Sequence, residues 1–170
     1  NGITFDLSLT QGVVETGTVA VQQDVAPLSA ESDTHFVAAL GRFTTLIGSD
    51  YGDWFTGASG STVSGGLGSD NFFTKDDIVD AVFAGGADAD VLTARGRRVA
   101  GIRFDGDDGA DQLIVDDPLD VDDPAEVFDE LEFNGGDDAD VFINRGRVSR
   151  VVFRGGSDAD ILQNVRGRIS

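Results

Sequence analysis

The chain has 170 residues, 31 acidic against 12 basic for a formal net charge of −19, and neither cysteine nor methionine. This balance excludes nucleic acid as a partner, since the phosphate backbone demands a basic surface, and it excludes a disulfide framework or a zinc–thiolate site. With 26 aspartates and 23 glycines it is a poor helical composition, yet 40% apolar residues set it apart from a disordered acidic tail.

The N-terminal part reads as strands. ITFDLSL (3–9) and TVAVQQDV (18–25) alternate apolar and polar residues. APLSAESDT (26–34) is a polar loop, and HFVAALGRFTTLI (35–47) suits a short helix or strands, with strand favoured for its second half. Residues 1–47 are thus expected to form an N-terminal β cap. No run reaches the length of a membrane span, and Asn1 opens no signal peptide, so the sequence reads as a mature or excised segment.

From residue 48 onward one short loop recurs: glycine, a few small or acidic residues, aspartate, one residue, then a large apolar residue. The copies are GSDYGDWF (48–55), GGLGSDNF (65–72), GGADADVL (85–92), GDDGADQL (106–113), GGDDADVF (135–142) and GGSDADIL (155–162). Their last aspartates are Asp53, Asp70, Asp90, Asp111, Asp140 and Asp160, spaced by 17, 20, 21, 29 and 20 residues. A glycine stands five places before each, at Gly48, Gly65, Gly85, Gly106, Gly135 and Gly155. Apolar residues stand seven places before (Leu46, Val63, Phe83, Phe104, Phe133, Phe153) and two places after (Phe55, Phe72, Leu92, Leu113, Phe142, Leu162). The later copies add apolar columns at nine places before (Ala81, Ile102, Leu131, Val151) and twelve before (Ile78, Val99, Phe128, Val148).

A period near 20 marks a solenoid whose coils cannot bury their apolar faces alone. The expected fold is all-β, a parallel β-roll or β-helix of about 20 residues per coil over 48–170 behind the 1–47 cap. The two parts are read as one folding unit. The 29-residue step holds VDDPLDVDDPAEVFDE (115–130), expected to be a surface insertion because its prolines cannot donate to a ladder.

Parallel stacking would place the key aspartates about 4.8 Å apart. Two unit charges at that distance repel by roughly 1 kcal/mol in water and 3–4 kcal/mol at an effective dielectric near 20. A further acidic set, Asp50, Asp88, Asp108, Asp138 and Asp158, adds to the repulsion, and no lysine stack answers it. Something outside the chain must neutralise the column. Carboxylates with loop carbonyls such as those of Gly65, Gly85, Gly106, Gly135 and Gly155 form a hard-oxygen set that suits several calcium ions, which take six to eight oxygens. The glycines allow positive φ and close approach.

GGLGSDNFF (65–73) resembles the nonapeptide GGxGxDxUx of the RTX, or hemolysin-type, calcium-binding repeats. The stretch FDLSL…FTTLIGSDYGDWFTG (5–57) is similar to the segment that often precedes them. The resemblance implies a β-roll with calcium held between successive loops, in secreted and usually bacterial proteins. It also implies side chains from the six key aspartates and carbonyls from loop glycines as ligands. The chain departs from the family in two ways. The opposite half-coil, TARGRRVAG (93–101) or INRGRVSR (143–150), has no glycine–aspartate loop, so one calcium column is expected instead of two. Asp88, Asp138 and Asp158 stand where the family has glycine; either they add carboxylates or the loop takes another path.

The remaining features read more simply. RGR recurs at 95–97, 145–147 and 166–168, either an arginine ladder for an anionic glycan or a solvated turn that offsets nearby acids, with the turn preferred. His35, the only histidine, reads as structural; Trp54 and Phe73 are expected to pack against residues 1–47. The Asp117–Pro118 and Asp123–Pro124 bonds read as turns. One histidine and no cysteine assemble no nucleophilic constellation, so catalysis by this segment is not expected. Two roles compete: an extracellular structural or adhesive surface module meeting glycan or neighbouring copies through open solenoid ends, and an accessory calcium module of a secreted enzyme that degrades polysaccharide or protein.

Overall fold

The computed structural model describes residues 4–6, 17–18, 43–57, 59–74, 77–116, 127–165 and 168–170. Every regular element among them is a strand, and every pairing is parallel. One sheet has seven strands in the order β1 (Thr4–Asp6), β4 (Trp54–Thr56), β6 (Asn71–Thr74), β8 (Val91–Ala94), β10 (Gln112–Val115), β12 (Val141–Asn144) and β14 (Ile161–Asn164). The other has eight, running from β2 (Gly17–Thr18) through β3 (Phe43–Ile47), β5 (Thr62–Gly66), β7 (Ile78–Ala87), β9 (Arg98–Asp108), β11 (Val127–Asp137) and β13 (Arg147–Gly156) to β15 (Arg168–Ile169). Strands alternate between the sheets along the chain from β3 on, which is a parallel β-solenoid.

The apolar columns of the sequence become ladders. Phe83 pairs with Phe104, Phe104 with Phe133, and Phe133 with Phe153. Opposite them Phe72, Leu92, Leu113 and Phe142 align strand by strand. The side chains meet between the sheets and are wholly buried up to Phe142. Phe104 and Phe133 stack with centroids 5.2 Å apart, and Phe133 and Phe153 at 5.4 Å. Burying each such ring is worth about 1.5–3 kcal/mol, so this file supplies much of the driving force. β14 is the edge strand of the seven-stranded sheet, and Leu162 in the same column is 46% exposed.

One feature of the long strands is not a simple ladder. Ile78 and Ala81 both point inward although they are three residues apart, an odd step that a flat strand cannot supply. The chain makes the step by a left-handed residue at the same place in each coil: Asp80 (φ 58°), Gly101 (φ 64°), Glu130 (φ 52°) and Arg150 (φ 54°).

The boundaries of the expected insertion need correcting. Val115 ends β10 and is buried, and residues 127–130 belong to β11 with Phe128 in the core, so only 116–126 lies between the strands. Apolar contacts at Val115 and Phe128 outweigh the acidic composition around them. In the first 47 residues, 4–6, 17–18 and 43–47 join the two sheets, which agrees with strand for the second half of 35–47. The rest of the two N-terminal strand segments, the 26–34 loop, His35 and both Asp–Pro bonds lie outside the described residues.

Candidate metal centre

The recurring loop joins the eight-stranded sheet to the seven-stranded one, and its backbone explains its composition. Two left-handed positions occur in each full copy. Four places before the key aspartate stand Gly66, Gly86, Asp107, Gly136 and Gly156, with φ between 75° and 125°. Two places before it stand Gly68, Asp88, Gly109, Asp138 and Asp158, with φ from 70° to 129°. Aspartate tolerates this region better than most residues, which is how Asp88, Asp138 and Asp158 keep the same backbone path where the RTX pattern has glycine.

The first glycine of each copy has a different task. A Cβ built on Gly65, Gly85, Gly106 or Gly135 would collide with the Oδ2 atom of Asp70, Asp90, Asp111 or Asp140 in its own coil. The same Cβ on Gly65 would lie 2.7 Å from the Gly85 carbonyl oxygen of the next coil, and on Gly85 2.8 Å from that of Gly106. The glycine therefore leaves a nook on which one carboxylate oxygen and one carbonyl oxygen converge. Its absent side chain, not its φ, is what the loop uses.

The aspartates form a column. Asp53, Asp70, Asp90, Asp111 and Asp140 are fully buried at 0% exposure. The backbone N–H of each donates to Oδ1 of the next: Asp53 to Asp70 at 2.6 Å, Asp70 to Asp90 at 2.6 Å, Asp90 to Asp111 at 2.8 Å, Asp111 to Asp140 at 2.8 Å, and Asp140 to Asp160 at 3.0 Å. Asp53 also accepts from the Ser49 N–H at 2.6 Å and from the Ser49 hydroxyl. The four that follow have no such help: Oδ2 of Asp70, Asp90, Asp111 and Asp140 is buried with no hydrogen-bond partner.

Such groups resist ionisation. Burial pushes Asp70 up to about 7, Asp90 to about 8 and Asp111 to about 7, against the opposing backbone hydrogen bond and with help from neighbouring carboxylates. Asp140 is raised for the same first reason. An orphaned carboxylate oxygen in each of four consecutive coils is an open electrostatic demand, which a proton, a cation or a hydrogen-bond donor from outside the chain can meet.

The second acidic set does not enter this column. Asp50, Asp88, Asp108, Asp138 and Asp158 are all exposed on the outer side of the loops, and Asp88 Oδ2 accepts from the Gly68 N–H at 3.3 Å. Nor are they one register. Asp88, Asp138 and Asp158 stand two places before the key aspartate, whereas Asp50 and Asp108 stand three before, because Gly109 takes the left-handed position in its coil. Among the described residues no three His, Cys, Asp or Glu side chains gather where they could hold one ion. An ion in this loop would be held by key aspartates and backbone carbonyls.

The arginine edge is answered from within. Arg95 and Arg145 flank Asp116 at 4.0 and 3.8 Å, which favours the solvated-turn reading over a free ladder. Trp54 stacks on Phe73 at 5.2 Å and stays 51% exposed, so its partner is the next coil. Two features escaped sequence reasoning. Ser49 satisfies the first aspartate, and the only trace of this is a hydroxyl where the other copies have glycine or aspartate. The bend column at Asp80, Gly101, Glu130 and Arg150 could have been found from the three-residue step between apolar columns.

Comparison with protein-family models, with curated proteins and with solved structures gives no match to this chain.

Proposed function

We propose that the chain is a calcium-binding structural module, in which a single column of ions along the glycine–aspartate loops holds the coils together. The observation that carries this reading is the row of four orphaned, fully buried carboxylate oxygens. The donor chemistry fits calcium: each step offers an uncommitted Oδ2 and a converging glycine carbonyl, both hard oxygens, on a backbone that leaves a nook beside Gly65, Gly85, Gly106 and Gly135. Magnesium, which demands tighter octahedral geometry, and transition metals, which prefer imidazole or thiolate, suit the set less well. The resemblance of GGLGSDNFF to the RTX nonapeptide points the same way.

The residues of this chain then have distinct tasks. Asp70, Asp90, Asp111 and Asp140 offer Oδ2 to the ion while Oδ1 accepts the backbone N–H of the aspartate in the preceding coil and so fixes the register between the two. Bound calcium would neutralise the column, and the exposed Asp88, Asp138 and Asp158 would enrich cations around it. An ion that binds only the folded coil stabilises it by mass action, so the module is set in a calcium-rich medium and loosened where calcium is scarce. This suits an extracellular surface or adhesive role, with the acidic exterior facing solvent.

Thermal unfolding followed by circular dichroism tests it directly. The melting temperature is expected to rise with calcium in the micromolar-to-millimolar range and to fall in excess EDTA, with magnesium a weaker substitute. Identical melting curves in calcium and EDTA would overturn the reading.

A further inference from the structure

The first loop differs from its neighbours at the very place where their oxygens go unmet. A Cβ built on Gly48 would lie 2.6 Å from Asp53 Oδ2 and 2.2 Å from the Gly65 carbonyl oxygen of the next coil. The same nook is therefore present, with the same two kinds of oxygen turned toward it. Here the carboxylate is already engaged. The Ser49 N–H donates to Oδ2 at 2.6 Å, and the Ser49 hydroxyl oxygen lies 3.1 Å from Oδ1 and 3.0 Å from Oδ2. Both residues sit inside the fold, Asp53 at 0% and Ser49 at 5% exposure. The backbone accounts for the difference. Four and two places before its key aspartate the second loop has Gly66 at φ 113° and Gly68 at φ 89°. The first loop has Ser49 and Tyr51 there, and neither takes a positive φ. On the left-handed path the amide four places back does not reach the carboxylate, and Oδ2 of Asp70 accepts nothing. On the Ser49 path it does.

We propose that Ser49 stands in for the cation at Asp53, so that the ion column begins at Asp70 and the junction of the first two coils closes without metal. The inference rests on the calcium reading and sets its boundary. The hydroxyl alone would not decide the matter, because its oxygen can turn a lone pair toward a cation. The backbone N–H cannot. It keeps its positive end on Oδ2 for as long as residue 49 holds this path, and a cation in the nook would face that hydrogen in place of a free carboxylate oxygen. The hydroxyl helps to hold the path by accepting the Tyr51 N–H at 3.3 Å. The consequence is a stack with one end unlike the rest. Its first junction is complete in any medium, whereas the four beyond it each carry an orphaned Oδ2. Stacks of this kind grow by contacts between neighbours, so the junction that needs no ligand is the last to open when calcium is withdrawn. It is also the template on which the following coils assemble when calcium returns.

Ser49→Gly combined with Tyr51→Gly gives the first loop the glycines of the second at both places. Calorimetric calcium titration of the full chain, with native mass spectrometry for the count, is expected to show one more bound ion in this variant than in the parent. Ser49→Ala keeps the N–H and needs no change of path. It is expected to bind as many ions as the parent and to unfold at lower urea in calcium and in EDTA alike. Hydrogen exchange in EDTA reads the template directly: the parent's amides at 53–56 are expected to exchange more slowly than those at 91–94, and the double glycine variant is expected to lose that difference. The proposal is overturned by an ion touching Asp53 in parent crystals, by a glycine variant that gains no ion, by Ser49→Ala as stable as the parent, or by equal exchange of the two segments. In each of these results ions can still be counted at Asp70 and beyond, so the calcium reading survives. A parent chain that binds no calcium overturns both.

Discussion

Asp111 is gripped by one oxygen and open at the other. Its Oδ1 accepts the Asp90 N–H at 2.8 Å, and its Oδ2 lies buried beside Gly106 with no partner. Asp111→Asn keeps the acceptor and removes the charge, so its effect depends on whether an ion is present. In EDTA at pH 8.5 the variant is expected to be more stable than the parent, because burial penalises the charged carboxylate and the amide carries no charge. In calcium it is expected to be less stable; denaturant midpoints in the two media check the reversal. The pH dependence follows from the same groups. Folded-state values near 7 to 8 for Asp70, Asp90 and Asp111 exceed the unfolded value near 3.9, so the folded chain binds more protons in between. Ion-free stability is therefore fully present below about pH 4 and is lost as pH rises through 7 to 8. Urea midpoints in EDTA at pH 5 and pH 8.5 are expected to show this fall, and Asp90→Asn is expected to flatten it. The glycines separate in the same way: Gly106→Ala forces a methyl against Asp111 Oδ2 and is expected to cost about 3 kcal/mol or more. Gly60→Ala, with φ +73° but open space around it, is expected to cost about 1 kcal/mol. The recurrence of Gly–x4–Asp was plain in the sequence. The split of labour between Oδ1 and Oδ2 was not, because spacing fixes which residues stack and says nothing of which oxygen finds a donor.

At the level of the strand, the core is a file of rings whose members differ in how many neighbours they have. Phe133 lies between Phe104 and Phe153, fully buried, while Phe153 has no ring beyond it. Phe133→Ala is expected to cost about 3–5 kcal/mol, and Phe153→Ala distinctly less, because Phe153 is only partly buried; chemical denaturation of both variants measures the gap. The apolar columns made this file legible in advance: Leu46, Val63, Phe83, Phe104, Phe133 and Phe153 pair as their spacing implies. The bends at Asp80, Glu130 and Arg150 were hidden by residue type. In that column Gly60 and Gly101 advertise a positive φ, and Asp80, Glu130 and Arg150 reach it despite their side chains. For the same reason the acidic run after Val115 read as one excursion, whereas Phe128 draws the chain back into the sheet at 127.

As a whole, the molecule is a one-dimensional stack in which each coil answers to its neighbours. Its stability is then close to a sum over coil interfaces, and each interface among the inner coils carries one aspartate link, one ring or aliphatic contact per ladder, and one unmet oxygen. Period and composition were enough to reveal the stack and its acidic exterior. The pairing of opposite charges on the outer face of the eight-stranded sheet was not legible from composition, since only register sets Glu132 beside Arg103. What the unmet oxygens hold is the question on which the account turns. Long-wavelength anomalous diffraction from crystals grown in saturating calcium answers it most directly. A row of calcium peaks about 4.8 Å apart is expected, each touching Oδ2 of Asp70, Asp90, Asp111 or Asp140. A column without anomalous density, or peaks confined to the exposed Asp88, Asp138 and Asp158, would contradict it.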